Sequence, residues 1–224
     1  MTGTIEVTGD HSRQKTAGNA NVAVWLVPLS ETGSTRRLSP PPPNRKFTLL
    51  QKNKTFEPRL LVIPVGSEVD FPNKDPFFHN VFSLFEGKRF DLGLYESGSS
   101  RSRRFDKPGI SYLFCNIHSE MSAVIIVLET PYYSISDRIG QVTISGVPPG
   151  HYMLRVWREG SSINALKSLS RSITVSEESV SFGKLLVPNN DPLPLTHKNK
   201  YGRDYDDTAS PGHVYKDNSG VPRQ

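Results

Sequence analysis

The stretch Ser111–Val127, SYLFCNIHSEMSAVIIV, sets the strongest constraint on how this chain folds. Two apolar runs typical of buried strands, Tyr112–Phe114 and Ala123–Leu128, flank a polar segment with Asn116, His118, Ser119 and Glu120. The stretch holds the only cysteine of the 224 residues, Cys115, with His118 three positions on and Met121 three further. In an extended strand, residues i and i+3 lie about 10 Å apart at Cα. The thiol and the imidazole act on one atom only if the chain curls between them. The region therefore reads as a strand, a tight loop and a second strand.

Donor atoms about 2 Å from one metal ion are at most about 4 Å from each other. A thiolate, an imidazole and a thioether on one loop form a soft donor set. A second imidazole from elsewhere completes the two-His, one-Cys, weak-axial-Met arrangement of a blue-copper electron-transfer site. The alternative reading is a buried structural cysteine, which behaves as a small hydrophobe, with an incidental histidine and methionine nearby.

Length allows one large or two small domains, each with a core. A hydrophobic content of 35%, with 17 glycines and 18 prolines, breaks the chain into short apolar runs between turn signals, the pattern of an all-β protein. No apolar run approaches the roughly 20 residues of a membrane span. One cysteine excludes an intramolecular disulfide, and it counts against a structural zinc finger and against a dinuclear centre bridged by two thiolates. The first ten residues, MTGTIEVTGD, show neither the basic nor the apolar region of a secretory signal. The net charge of +5 permits anionic partners, yet the basic residues are scattered apart from Arg101, Arg103 and Arg104. No nucleic-acid-reading pattern is present. That arginine cluster reads as a solvated loop, with docking of an acidic redox partner as the alternative.

Along the chain, Thr4–Val7 and Val22–Pro28 read as strands, residues 30–45 as a loop with a short polyproline II spacer at Pro40–Pro43, and residues 87–108 as a turn-rich link. Leu60–Ile63 and Val69–Phe71 read as strands. His79 follows a turn and heads an apolar run, which makes it the candidate fourth donor; a satisfied core or turn histidine is the competing reading.

This order, a histidine in a mid-chain strand and Cys-x-x-His-x-x-Met near the last strand, resembles the cupredoxin family. The amicyanin and plastocyanin branch is nearest, including cupredoxin-like proteins labelled methylamine-utilisation proteins. Phe71-Pro-Asn73, His79-Asn80-Val81, Phe105-x-x-Pro108-Gly109 and Cys115-x-x-His118-x-x-Met121 carry the match, over roughly residues 45–128. The resemblance implies a Greek-key β-sandwich holding one type 1 copper. His79, Cys115 and His118 would be its equatorial ligands and Met121 the weak axial one. Asn80 would give a backbone N–H to the sulfur, and His118 would be the exposed electron port. An exported or periplasmic location and redox partner proteins are implied through the family alone. The chain departs from the amicyanin pattern at Ser119, where proline is usual, and Glu120 adjoins Met121; Glu120 or water is therefore a rival axial ligand.

Beyond Leu128 the pattern changes. Val142/Ile144 and Tyr152/Leu154/Val156 alternate with polar residues around a Pro-Pro-Gly turn, giving two half-buried strands. The stretch 129–188 resembles the second half of a carboxypeptidase regulatory-like (transthyretin-like) β-sandwich, closed by Ser172–Val175 and Phe182–Val187. Residues 1–128 are taken as the copper domain, with strands 4–28 completing its sandwich. The alternative, in which residues 3–28 belong to the second sandwich and the copper module is set into it, stays open. Residues 189–224 are polar enough to read as a mobile tail. Its His197 and His213 are candidates for adventitious metal binding only, and His151 reads as a surface residue.

The expected function is electron carriage by a mononuclear copper protein without substrate chemistry. A copper-storage or structural protein, or one that takes zinc, is a second reading, and a domain of a copper oxidase or reductase a third. The six histidines contain no His-x-His pair for a further copper centre, which weighs against the third.

Overall fold

The computed structural model describes residues 1–9, 18–30, 46–84, 87–178, 180–190 and 197–205. In chain order the strands are β1 (Thr2–Gly9), β2 (Ala23–Pro28), β3 (Lys46–Thr48), β4 (Leu50–Lys52), β5 (Thr55–Glu57), β6 (Leu60–Pro64), β7 (Ser67–Pro72), β8 (His79–Ser83) and β9 (Phe90–Tyr95). They continue as β10 (Ser100–Phe105), β11 (Gly109–Phe114), β12 (Ser122–Leu128), β13 (Tyr133–Ile135), β14 (Gln141–Thr143) and β15 (Gly150–Trp157). One short helix, α1 (Ile163–Ser168), precedes β16 (Arg171–Val175) and β17 (Ser181–Asn189). The all-β expectation holds: 54% of the chain is strand and 3% helix.

The run Ser122–Leu128 explains how the layers are stacked. A strand sends alternate side chains to opposite faces. Here Ala123, Ile125 and Val127 enter one core, shared with Ile63, Phe71 and Leu113. Val124, Ile126 and Leu128 enter a second core, shared with Leu60, Val62, Ile5 and Leu154. A strand buried on both faces has no polar alternation, which is why this run is continuously apolar. Each fully buried aliphatic side chain contributes about 1.5–3 kcal/mol, so β12 anchors both halves of the molecule.

The first core lies in a sandwich of a five-stranded sheet, ordered β6-β12-β11-β8-β9, and a three-stranded sheet, ordered β10-β7-β3. The second core is enclosed by the sheets β14-β1-β17 and β13-β2-β15-β16, together with the outer face of β6 and β12. An Arg59–Glu159 pair with two N–O contacts, 2.9 and 3.0 Å, spans the two halves.

Several expectations are corrected here. Residues 4–28 do not complete the first sandwich. β1 runs parallel to β17 from Ile5↔Leu185 to Gly9↔Asn189, and β2 pairs with β13 and β15. Their inward residues Ile5, Val7, Val24 and Leu26 fill the second core, so the segment 46–128 is set between strands of the other sheets. Gly140, just ahead of β14, shows how closely β14 approaches β1. Its φ is +86°, and an added Cβ would lie 2.0 Å from the Ile5 carbonyl oxygen. The link 87–108 contains β9 and β10, and the arginine cluster lies on β10, opposite Val69 and Phe71 of β7, rather than on a loop. Asn189 ends a strand, and residues 197–205 are packed on the body of the protein, so these are not part of a mobile tail. The polyproline stretch, His213 and the remainder of the tail expectation lie outside the described residues.

Candidate metal centre

Two strand ends meet at the site. β11 is antiparallel to β8, with Phe114 opposite Phe82, so the loop leaving β11 runs back alongside the start of β8 at His79. β12 then returns from the loop with Ser122 opposite Phe114. Across the loop base, the Cys115 N–H donates to the Met121 carbonyl at 3.2 Å, and the Met121 N–H donates to the His118 carbonyl at 3.1 Å. The curl that the Cys-x-x-His spacing demands is thus held by the backbone.

Cys115 Sγ lies 3.7 Å from His79 Nδ1 and 3.5 Å from His118 Nδ1. One ligand atom from each of the three residues falls within 4.8 Å of the other two. Sulfur and imidazole donors at ordinary bond lengths around one ion are separated by about 3.5–3.8 Å, so the spacing fits a shared metal. His79 and Cys115 are fully buried. Met121 is 1% exposed in the same core, whereas Glu120 is exposed on the turn. That burial places the thioether, not the carboxylate, on the protein side of the loop. The set of two imidazoles, thiolate and thioether fits a soft transition-metal ion.

The surroundings hold the donors in binding form. Burial pushes the Cys115 thiol pKa up, opposed by the N–H groups of Asn80, Ile117 and His118, which point at the sulfur. The Asn80 side-chain amide donates to Asp91 at 2.7 Å. Burial lowers the His118 pKa to about 4, helped by the neighbouring His79 and Lys54 charges. Burial also lowers the pKa of His79, against the opposing pull of Asp75. Both rings are neutral near pH 7, each free to offer a lone pair.

The residue missed in the sequence is Asp75. Its carboxylate lies 2.7 Å from His79 Nε2, so the neutral ring donates there and leaves Nδ1 unprotonated toward the sulfur. Asp75 is in turn held by the N–H groups of Asn53 at 2.6 Å and Lys54 at 2.9 Å, and its own N–H donates to Asn73 Oδ1 at 3.0 Å. Although burial opposes it, these bonds and His79 keep the carboxyl pKa below its ordinary value. Asn53 and Lys54 both have positive φ, 55° and 56°, in the two-residue turn from β4 to β5. That mirror-type turn aims both amides the same way. A visible signal existed, an Asp four residues before the His, but its meaning depends on a turn about twenty residues upstream. Phe77 walls the site, with ring centroids 5.2 Å from His79 and 5.5 Å from His118.

Of the other histidines, His151 is exposed and bonds Thr174. His197 is not near-free in solvent but packed on Phe114, 4.4 Å between ring centroids.

A sandwich whose donor loop follows its next-to-last strand, with a second imidazole at the head of the adjacent strand, makes this a cupredoxin-like β protein. Within the sandwich, the donors come in the order His79, then Cys115, His118 and Met121 on one loop. No protein-family model and no curated protein matches the sequence. Solved structures similar to part of the chain include a copper-containing nitrite reductase from Thermus scotoductus SA-01, 25% identical over 46% of this chain and 25% of that one, TM-score 0.36. A reduced amicyanin variant is 20% identical over 37% of this chain and 82% of that one, TM-score 0.35. A purple cupredoxin from Nitrosopumilus maritimus is 24% identical over 37% of this chain and 98% of that one, TM-score 0.33. The alignment spans only a quarter of the reductase.

Proposed function

We propose that the protein is a one-electron carrier with a single copper held by His79, Cys115 and His118, and Met121 as the weak axial ligand. The observation that carries this reading is the cluster of the Cys115 sulfur and one ring nitrogen from each of His79 and His118, all within 4.8 Å of one another, with His79 and Cys115 buried. Copper bound there supplies a Cu(II)/Cu(I) couple. The chain's own part is to fix donors, keep water out and limit rearrangement between oxidation states. Asp75 fixes the His79 tautomer, and the amides at Cys115 stabilise the thiolate that forms when its proton is displaced. His118, the less buried of the two imidazoles, is the port for electrons.

A redox partner protein and an exported location belong to this proposal. So does the absence of substrate chemistry, since the four protein donors leave little room for an open position. Among the described residues no helix is long and apolar enough to cross a membrane. The resemblance of the outer sheets to a carboxypeptidase regulatory-like sandwich belongs to the proposal too, as a non-catalytic support. Voltammetry of the copper-loaded protein tests it: a reversible one-electron wave is expected. A protein that binds copper but shows no reversible wave would make storage the better reading.

A further inference from the structure

Residues 197–205 lie across the outside of the donor loop and touch it at several points. The His197 N–H donates to the Ser119 carbonyl at 3.1 Å. The Lys200 N–H donates to Asn116 Oδ1 at 2.9 Å, and its Nζ pairs with Asp91 at 2.8 Å, the same carboxylate that accepts from Asn80. The Tyr205 hydroxyl donates to the Cys115 carbonyl at 2.6 Å and lies 3.3 Å from His197 Nδ1. His197 Nε2 is buried without a hydrogen-bond partner, beside the carbonyls of His118 and Met121. The ring itself stacks on Phe114 and stands edge-on to Tyr205.

On the donor loop these contacts fall on the Cys115 and Ser119 carbonyls and the Asn116 side chain. Ser119, the residue after His118, gives its carbonyl to the segment. We propose that Tyr205 is a positioning residue, and that residues 197–205 are a strap that holds the donor loop in its metal-binding curl. The proposal rests on the metal-site reading for its purpose, though not for its physical test.

The rate at which the Cys115 thiol of the copper-free full chain reacts with a chromogenic aromatic disulfide reports loop opening, because the sulfur is buried. Tyr205→Phe, which keeps the ring and loses one neutral hydrogen bond, is expected to react about fivefold faster. Tyr205→Ala is expected to be faster still, and Tyr201→Ala, at a 72% exposed position of the same segment, to stay within about twofold of the original. The main thermal transition should stay put. Equal rates in all four proteins overturn the strap, and so does a gain in rate matched by a fall in thermal midpoint. Copper release to a chelator should quicken in the same order as the thiol rates, and a release rate indifferent to Tyr205 overturns the positioning role. If the unsubstituted protein takes up no copper at all, the metal reading falls, and the thiol rates still decide whether the strap exists.

Discussion

The two imidazoles of the site reach the same sulfur at nearly the same distance but are held in opposite ways. His79 sits on a strand, fully buried, with its outer nitrogen against a carboxylate that two turn amides hold in place. His118 sits on a loop, only partly buried, with no ion pair among the described residues, and its loop is steadied from outside by residues 197–205. One side of the site is framework; the other is adjustable. The proposed electron carriage would use both, a fixed half to limit rearrangement and a reachable half through which an electron passes.

Replacing Cys115 with Ser removes the point on which both halves converge. The intense visible band of the copper-loaded protein is expected to vanish, while circular dichroism stays that of the folded β protein; a coloured variant contradicts the assignment. Next in size, His79→Ala should weaken copper binding more than Asp75→Asn, and the latter by about 10–100-fold, the usual loss when a ligand's supporting partner is removed. Competition titration with a chelator measures both, and unchanged affinity in Asp75→Asn would break the claim that this half is framework.

The comparison sharpens further with cavity variants. In His118→Gly, added imidazole should restore the visible band, because that side is accessible. In His79→Gly it should restore little, because the buried pocket admits no ligand from solvent. Equal rescue would mean the two sides are alike.

Acidification of the metal-free protein should have a smaller, graded effect. The His118 pKa falls from 6.5 to about 4 on folding. Between those values the unfolded chain binds more protons, so stability drops as pH falls from about 6.5 to about 4 and the loss from this group then levels off. Denaturant midpoints across that range check the sign, and His118→Gln should flatten the slope. Smallest of all, Met121→Leu should leave the colour largely in place and shift the reduction potential; bleaching would make Met121 a principal ligand.

The donor loop was legible in sequence because all its elements are local: spacing forces a curl, and the apolar flanks force strands. His79 was legible because it heads a strand in the order the resemblance requires. What was not legible depends on distant pairing. β1 and β2 read as strands, yet nothing near them says that β1 runs beside the last strand; only the continuously apolar run Ser122–Leu128, whose two faces enter separate cores, requires that further strands cover β12. Asp75 was not legible because its role depends on the β4–β5 turn, whose amides hold its carboxylate. Residues 197–205 looked like tail because their docking uses backbone groups and two aromatic-type rings, His197 and Tyr205, too few to alter a mostly polar composition.

Copper titration of the metal-free protein, followed together by visible absorption and electron paramagnetic resonance, tests the central claim most directly. One equivalent should produce a saturating thiolate-to-metal band with the narrow hyperfine pattern of a thiolate-bound Cu(II). An ordinary, wide hyperfine pattern with no visible band would mean that His79, Cys115 and His118 do not share an ion.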